Sequence, residues 1–428
     1  MKSIFRYIEA ILISAILCVV MLANSVYMPA DFTERVRAFT RGIEFDYTAW
    51  EWDAVFLKLA QSALGAQRYL SAADQERTVQ SCMTLITDLA DTQSKIDQIY
   101  ADPKVADPQK SAHDLVLKQT DLQNQRRQLE PICESILQQQ ASQALAETGL
   151  TLGGQTLPPL LYHVTPLPLA LIVSPRDTIR QDAIISLLPD LTLEQITLLE
   201  QRVEKRFNVS ALVVEIGGMG TYPPMVASTA DLSWLTDTIV HEWTHNYLEF
   251  RPLGWNYSTT SELRTMNETT ASIVGGEVGR LIMRRYYPDQ VPALPFVEQI
   301  APPQWMQSGS QTAQSFDYRA EMHTTRLRVD ALLADGKTSE AEEYMEARRR
   351  FFWDNGYQIR RLNQAYFAFH GAYADTPVGA FGSDPVGPAV RALRAEAGTL
   401  AEFLNRISWL TSFDKLKNLV TANAVSDQ

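Results

Sequence analysis

The stretch from Asp231 to Phe250, DLSWLTDTIVHEWTHNYLEF, limits what this chain can fold into more than any other segment. It holds neither Gly nor Pro, its apolar residues recur at spacings of three and four, and Ser228 or Asp231 stands ready as a cap. Those features predict one amphipathic helix. Within it, HEWTH puts His241 and His245 one turn apart. Side chains four residues apart share a helical face, so the two imidazoles meet at one point, where a Zn2+ ion accepts each at about 2.0–2.1 Å. Glu242 sits too far round the helix to be an equal third ligand, but it reaches a water beside such an ion, the place of a general base. With six His in 428 residues, the spacing seldom arises by accident. The bland alternative is two histidines and a glutamate paired with ordinary helix neighbours.

The residues after His245 restrict the third ligand. A third histidine six positions on, with glycine three on, would close one kind of zinc site; Arg251 and Leu248 stand there instead. A carboxylate from another helix is the remaining choice, and Glu262, Glu268 and Glu277 are the candidates. The segment LRTMNETTASIVGGEVGRLIMRRYY predicts a helix in which Glu268 shares a stripe with Ala271, Ser272, Gly275 and Gly279. Glycine inside a helix costs about 1 kcal/mol against alanine, so a run of them calls for a reason. Close approach to the HEWTH helix is one, and it favours Glu268, with Glu262 second; Glu277 falls on the opposite face.

HEWTH followed by MNETTA resembles the gluzincin metallopeptidases, in which HExxH is joined by a glutamate on an NExxA-type helix, and most nearly the bacterial aminopeptidases of that group. The resemblance is specific over about 231–290 and looser in RRLNQAYFAFHGAY and GPAVRALRAEAGTLAEFL. It does not cover the region before residue 150. It implies a zincin-like metallopeptidase domain, zinc held by His241, His245 and Glu268, Glu242 as catalytic base, and a peptide or protein substrate. Two departures stand out: Ser272 replaces the Asp that thermolysin-like members carry four residues after the ligand Glu, and no GAMEN-type exopeptidase motif precedes the site. Endopeptidase and aminopeptidase action therefore stay open. Such chemistry also needs an oxyanion donor. In NQAYFAFHGAY, His370 and Tyr373 are the foremost candidates, with Tyr366 beside them and His323 behind, although aromatic stripes of this kind commonly serve as core.

The rest of the chain frames that site. Lys2 and Arg6 precede an apolar run, Ala10 to Ala23, which reads as a single membrane anchor over residues 1–29 or as a cleaved signal segment; either way the remainder is sent across the membrane. A formal net charge of -12 without a basic stripe argues against a nucleic-acid partner. Residues 30–150 read as a helical hairpin or stalk domain, first a helical stretch from Phe32 to Ser71 and then a hairpin of two long helices, Ala72 to Tyr100 and Ser111 to Ala146, parted by Pro103 and Pro108. Leu115, Leu122, Leu129 and Ile136 mark its packed face. Beyond Cys18, Cys82 and Cys133 lie symmetrically about the hairpin turn, where a disulfide fits; two unpaired core thiols are the alternative. Residues 151–230 form a small α/β part and 231–428 a helical part of one domain. The run ALVVEIGGMGTYPPMV ends just before the HEWTH helix as either an edge strand able to hold an extended peptide or a tight loop. The predicted class is predominantly α with a small α/β layer. Two functions remain: hydrolysis of peptide bonds in an extracytoplasmic domain, or a non-catalytic anchored scaffold that retains a metal-site fold. Oligomeric state is not legible in this sequence.

Overall fold

The computed structural model describes residues 31–101, 105, 107–151, 153–291, 316–371 and 385–426. The apolar run with Cys18, and Tyr373, lie outside them, and among the described residues no helix is long and apolar enough to cross a membrane. Helix dominates, with two small three-stranded sheets, as the sequence pattern predicts.

The chain begins with α1 (Phe32–Arg37) and α2 (Tyr47–Leu64), each started by an aspartate side chain that caps it, Asp31 and Asp46. The stretch read as helical is interrupted between α1 and α2 because the intervening chain is taken up by a strand edge. Phe45 N–H donates to the Ser186 carbonyl, Leu188 N–H donates to that of Ile43, and Gly42 supplies a φ of 89° that other residues resist.

Helices α3 (Ala72–Ala101) and α4 (His113–Glu147) make the predicted hairpin, and a disulfide joins Cys82 to Cys133 across it. Leu122 and Ile136 are buried, Leu115 and Leu129 half-buried. The second half of α4 is part of the main core: Ile136, Leu137 and Leu145 pack in one cluster with Trp243, Val274 and Phe403. A buried ion pair adds a polar tie. Lys58 Nζ lies 2.5 Å from Glu134 Oε2, while Glu134 Oε1 accepts the Val164 N–H at 2.7 Å and faces His163 Nδ1 at 2.9 Å. The hairpin is thereby fastened to the first strand, β1 (His163–Val164).

Two sheets follow. The larger is antiparallel in the order β3-β2-β4, built from β2 (Leu169–Pro175), β3 (Ala183–Leu187) and β4 (Val209–Val214), with α5 (Leu193–Phe207) between the last two. In register, Leu171 opposes Ile185 on one side and Val213 on the other. Alternation sorts its side chains: Leu169, Leu171 and Val173 meet α1 and α5, whereas Ala170 and Ile172 join the helices on the other face. Thr192 forms a full capping box with Gln195 at the start of α5. The smaller sheet, in the order β1-β6-β5, sets β6 (Met225–Val226) parallel to β1 and antiparallel to β5 (Gly218–Met219). Among the described strands β5 is thus an edge, two residues long, and the chain turns directly after it, the Thr221 N–H donating to the Met219 carbonyl, so the glycine run holds both a short edge strand and a tight turn.

From Asp231 the chain is helical: α6 (Leu232–Leu248), α7 (Ser261–Tyr286), α8 (Tyr318–Ala334), α9 (Thr338–Asp354), α10 (Gln364–His370), α11 (Val386–Glu396), α12 (Leu400–Ile407) and α13 (Phe413–Ser426). Helices α6, α7, α11 and α12 share the core with α4; α8, α9 and α10 cover the larger sheet.

Burial works against the Glu134 carboxylate, but Lys58 and His163 overcome it and hold the carboxyl down at about 2. A folded-state value depressed below the ordinary 4.5 gives stability that is complete above about pH 4.5 and lost as pH falls toward 2. Urea unfolding should therefore show Glu134→Gln less stable than the parent by about 3 kcal/mol at neutral pH, because Lys58 is left buried without its partner. That gap should narrow steadily through the same acidic window.

Candidate metal centre

Helix α6 starts where the sequence predicts, with the Asp231 side chain accepting the Trp234 N–H. Its neighbour α7 begins at the Thr260 cap and runs through Glu268 without a break. The two helices approach closely because α7 presents glycine to α6. A Cβ at Gly275 would stand 2.8 Å from the Asp237 carbonyl oxygen and 3.2 Å from the His241 Cβ, and one at Gly279 would run into the Asp237 carboxylate. Only hydrogen at these two positions permits the separation observed.

That approach brings three side chains together. His241 Nε2 and His245 Nε2 lie 3.1 Å apart, and Glu268 Oε2 stands 3.5 Å from the first and 3.6 Å from the second. Among the described residues, these three form the one group of ligand-type side chains close enough to hold a metal ion. A tetrahedral ion with bonds near 2.0–2.1 Å has vertices about 3.3–3.4 Å apart, so the three distances match one of its faces. The residues fit an ion in a second way: Glu268 Oε2 is buried and has no hydrogen-bond partner. Glu262, the second candidate, is exposed at the start of α7, and Glu277 is held by Arg394 at 2.8 and 2.9 Å.

Supporting groups fix the orientation of the ligands. His245 Nδ1 is 2.8 Å from Asn267 Oδ1, and the Asn267 amide nitrogen donates to the Leu253 carbonyl at 3.4 Å. Asn267 therefore turns its oxygen to the imidazole, so His245 carries a proton on Nδ1 and turns Nε2 toward the centre, where loss of the second proton would free a lone pair. The Tyr257 hydroxyl donates to Glu268 Oε1, and its ring meets His245 edge-on at 6.2 Å. Burial disfavours charge on His245, yet the Glu268 carboxylate outweighs it and raises the imidazole to about 9. Conversely, burial would lift Glu268, and the two imidazoles hold its carboxyl well below the ordinary range.

Glu242 is buried beside the triad, and that burial raises its carboxyl. Its position depends on β5, since a Cβ at Gly218 would collide with the Glu242 carboxylate. The next turn of chain is pinned to α6 by Asn246, whose amide donates to the carbonyls of Gly220 at 2.7 Å and Thr221 at 3.0 Å. The edge strand thus lies directly on the face that carries His245 and Glu242.

The proposed oxyanion donors are not gathered in the same way. His370 ends α10, its ring 4.3 Å from Tyr366 and 5.0 Å from Phe369, and burial pushes it down to about 4. Among the described residues it makes no hydrogen bond to the triad. Tyr366 bonds Tyr318 at 3.1 Å inside the helical layer over the sheet, and Tyr373 lies outside the described residues. His323 lies on α8. The groups that sequence reasoning did not single out are Tyr257 and Asn267. Asn267 is the residue before Glu268 in MNETTA, a visible signal; Tyr257 comes from a loop with no periodicity to mark it.

Comparison with family models, with curated proteins and with solved structures found no match to this chain.

Two outcomes follow from the geometry. Gly275→Val should cost about 1–3 kcal/mol by overpacking, more than the gain of under about 1 kcal/mol from removing a helical glycine. Thermal unfolding and zinc titration should both register the loss, since the helices carrying the ligands are forced apart. Tyr257→Phe should leave the fold intact but weaken metal affinity by about 10- to 100-fold, the usual effect of removing a ligand's hydrogen-bond partner; equal affinity by calorimetry would contradict that role.

Proposed function

We propose that this protein is a zinc-dependent peptidase of the gluzincin kind, held to a membrane by its N-terminal apolar run with the helical domain on the extracytoplasmic side. The observation that supports it most is the convergence of His241, His245 and Glu268 on one point with the Glu242 carboxylate buried beside them. Two imidazoles and one carboxylate are a donor set suited to zinc and leave a position for water or substrate.

Zinc, when bound, supplies Lewis acidity: it polarises a carbonyl and lowers the pKa of a water molecule toward about 7. The chain's own residues do the rest. Glu242 accepts a proton from that water on its carboxylate, a task favoured by burial, which raises its proton affinity. It then returns the proton to the departing amine. Asn267 and Tyr257 hold His245 and Glu268 at fixed orientations, so the ligand set does not have to reorganise as charge develops. The edge strand β5, unpaired with any described strand on its outer side, offers backbone groups to an extended peptide next to Glu242.

The test compares purified parent and Glu242→Gln protein by metal analysis and by cleavage of a mixed peptide library. Both should carry about one zinc per chain, and only the parent should cleave. Equal cleavage by the two would remove Glu242 as the base, and zinc without cleavage in the parent would favour the scaffold reading. The cleavage pattern would also show whether a free N-terminus is required.

A further inference from the structure

Helix α2 is built the wrong way out for a helix facing water. Its Lys58 points inward, 2% exposed, onto Glu134, and Ala54 and Gln61 share that inner stripe. The opposite stripe carries Trp52 at 62%, Phe56 at 62% and Leu59 at 60% exposure. Trp52 and Phe56 stack on one another at 6.0 Å, so they form one surface rather than scattered side chains. At 100° per residue, Ala63 lies between them and Asp53 stands at the margin, which leaves the centre of the face without a charge. The short turn that follows exposes Tyr69 as well. Exposed apolar side chains are ordinary singly, but a stacked aromatic pair with a leucine beside it, on a helix whose one lysine is buried, marks a contact surface.

We infer that this face of α2 docks in the interfacial layer of the same bilayer that the N-terminal run enters, with an uncharged, zwitterionic lipid surface as its partner. The inference rests on the membrane anchorage proposed above. Residues 24–30 separate the end of the run from Asp31 and at 3.3–3.6 Å each span at most about 25 Å, and residues 31–46 lead on from there to α2, so the chain length permits α2 to reach the headgroups. Tryptophan, phenylalanine and tyrosine are the side chains that settle at that depth. The charge balance selects the lipid: the chain is acidic, α2 shows Asp53 and no exposed cation, and an anionic surface would repel it. Docking along α2 would also fix the orientation of the metal centre. Burial raises the Glu249 carboxyl at the end of α6, and Glu51 in the first turns of α2 lies close enough to add to it.

The test uses the full chain reconstituted in phosphatidylcholine vesicles, part of whose acyl chains are brominated to quench nearby tryptophan. Flotation of the vesicles reads anchorage separately from docking. We expect the protein to float, the parent fluorescence to be quenched, and Trp52→Phe to reduce that quenching at least two-fold while Trp353→Phe, on α9, leaves it unchanged. Flotation with quenching unaffected by Trp52→Phe overturns the docking and leaves anchorage standing. In that case a monomer–dimer shift on sedimentation assigns the face to a second copy. Failure to float overturns anchorage and docking together. Stronger quenching in vesicles enriched in anionic lipid overturns the choice of partner.

Discussion

The separation between α6 and α7 decides nearly everything about the centre. His241 and His245 come together through helical spacing alone, but Glu268 arrives only because the second helix lies almost backbone to backbone against the first. Gly275 and Gly279 make that possible, with no side chain between them and the turn of α6 around Asp237. A glycine in a helix gives up about 1 kcal/mol of intrinsic preference, so the arrangement trades local stability for the position of one carboxylate. The same device recurs at the other side of α6, where Gly218 and Gly220 let an edge strand settle on Glu242 and His245. The metal helix is gripped on two faces by chain that has no side chains in the way.

That grip has an electrostatic consequence. Glu268 is a buried carboxylate with one oxygen satisfied by Tyr257 and the other left facing two imidazoles. Burying a carboxylate with an unmatched oxygen is costly unless positive charge stands nearby. A divalent cation answers that need, taking the place of the Nε2 proton on His245, whose ring Asn267 already turns toward the centre. The hairpin contributes from further away. Glu134 fastens α4 to β1, β1 pairs with β6, and β6 holds β5 in place over Glu242.

Much of this was legible in the sequence for identifiable reasons. Regular periodicity marks α3, α4, α6 and α7, and a cap residue fixes the start of α6; the glycine stripe beside Glu268 favours it over Glu262 as the third side chain, because an expensive residue repeated on one face calls for a contact. Symmetry about a turn makes the pairing of Cys82 with Cys133 one of two readings, and the disulfide across the hairpin decides between them. What failed was governed by long-range pairing. The break between α1 and α2 depends on hydrogen bonds from residues 43–45 to β3, a strand over a hundred residues away whose five residues carry too short a pattern to stand out. Tyr257 is invisible for a related reason: its role comes from loop geometry, and nothing in its neighbours announces that its hydroxyl reaches Glu268. The inverted polarity of α2 also escapes a one-dimensional reading, since helical periodicity tells which residues share a face but not which face is turned inward.

The most direct test of the central claim, that two imidazoles and the Glu268 carboxylate converge on one ion, is X-ray absorption at the zinc edge on protein loaded with one equivalent of zinc. Two imidazole nitrogens and two oxygens at about 2.0–2.2 Å are predicted, with one oxygen shell lost in Glu268→Ala. A six-oxygen shell without imidazole scattering, or a spectrum that Glu268→Ala leaves unchanged, would contradict it.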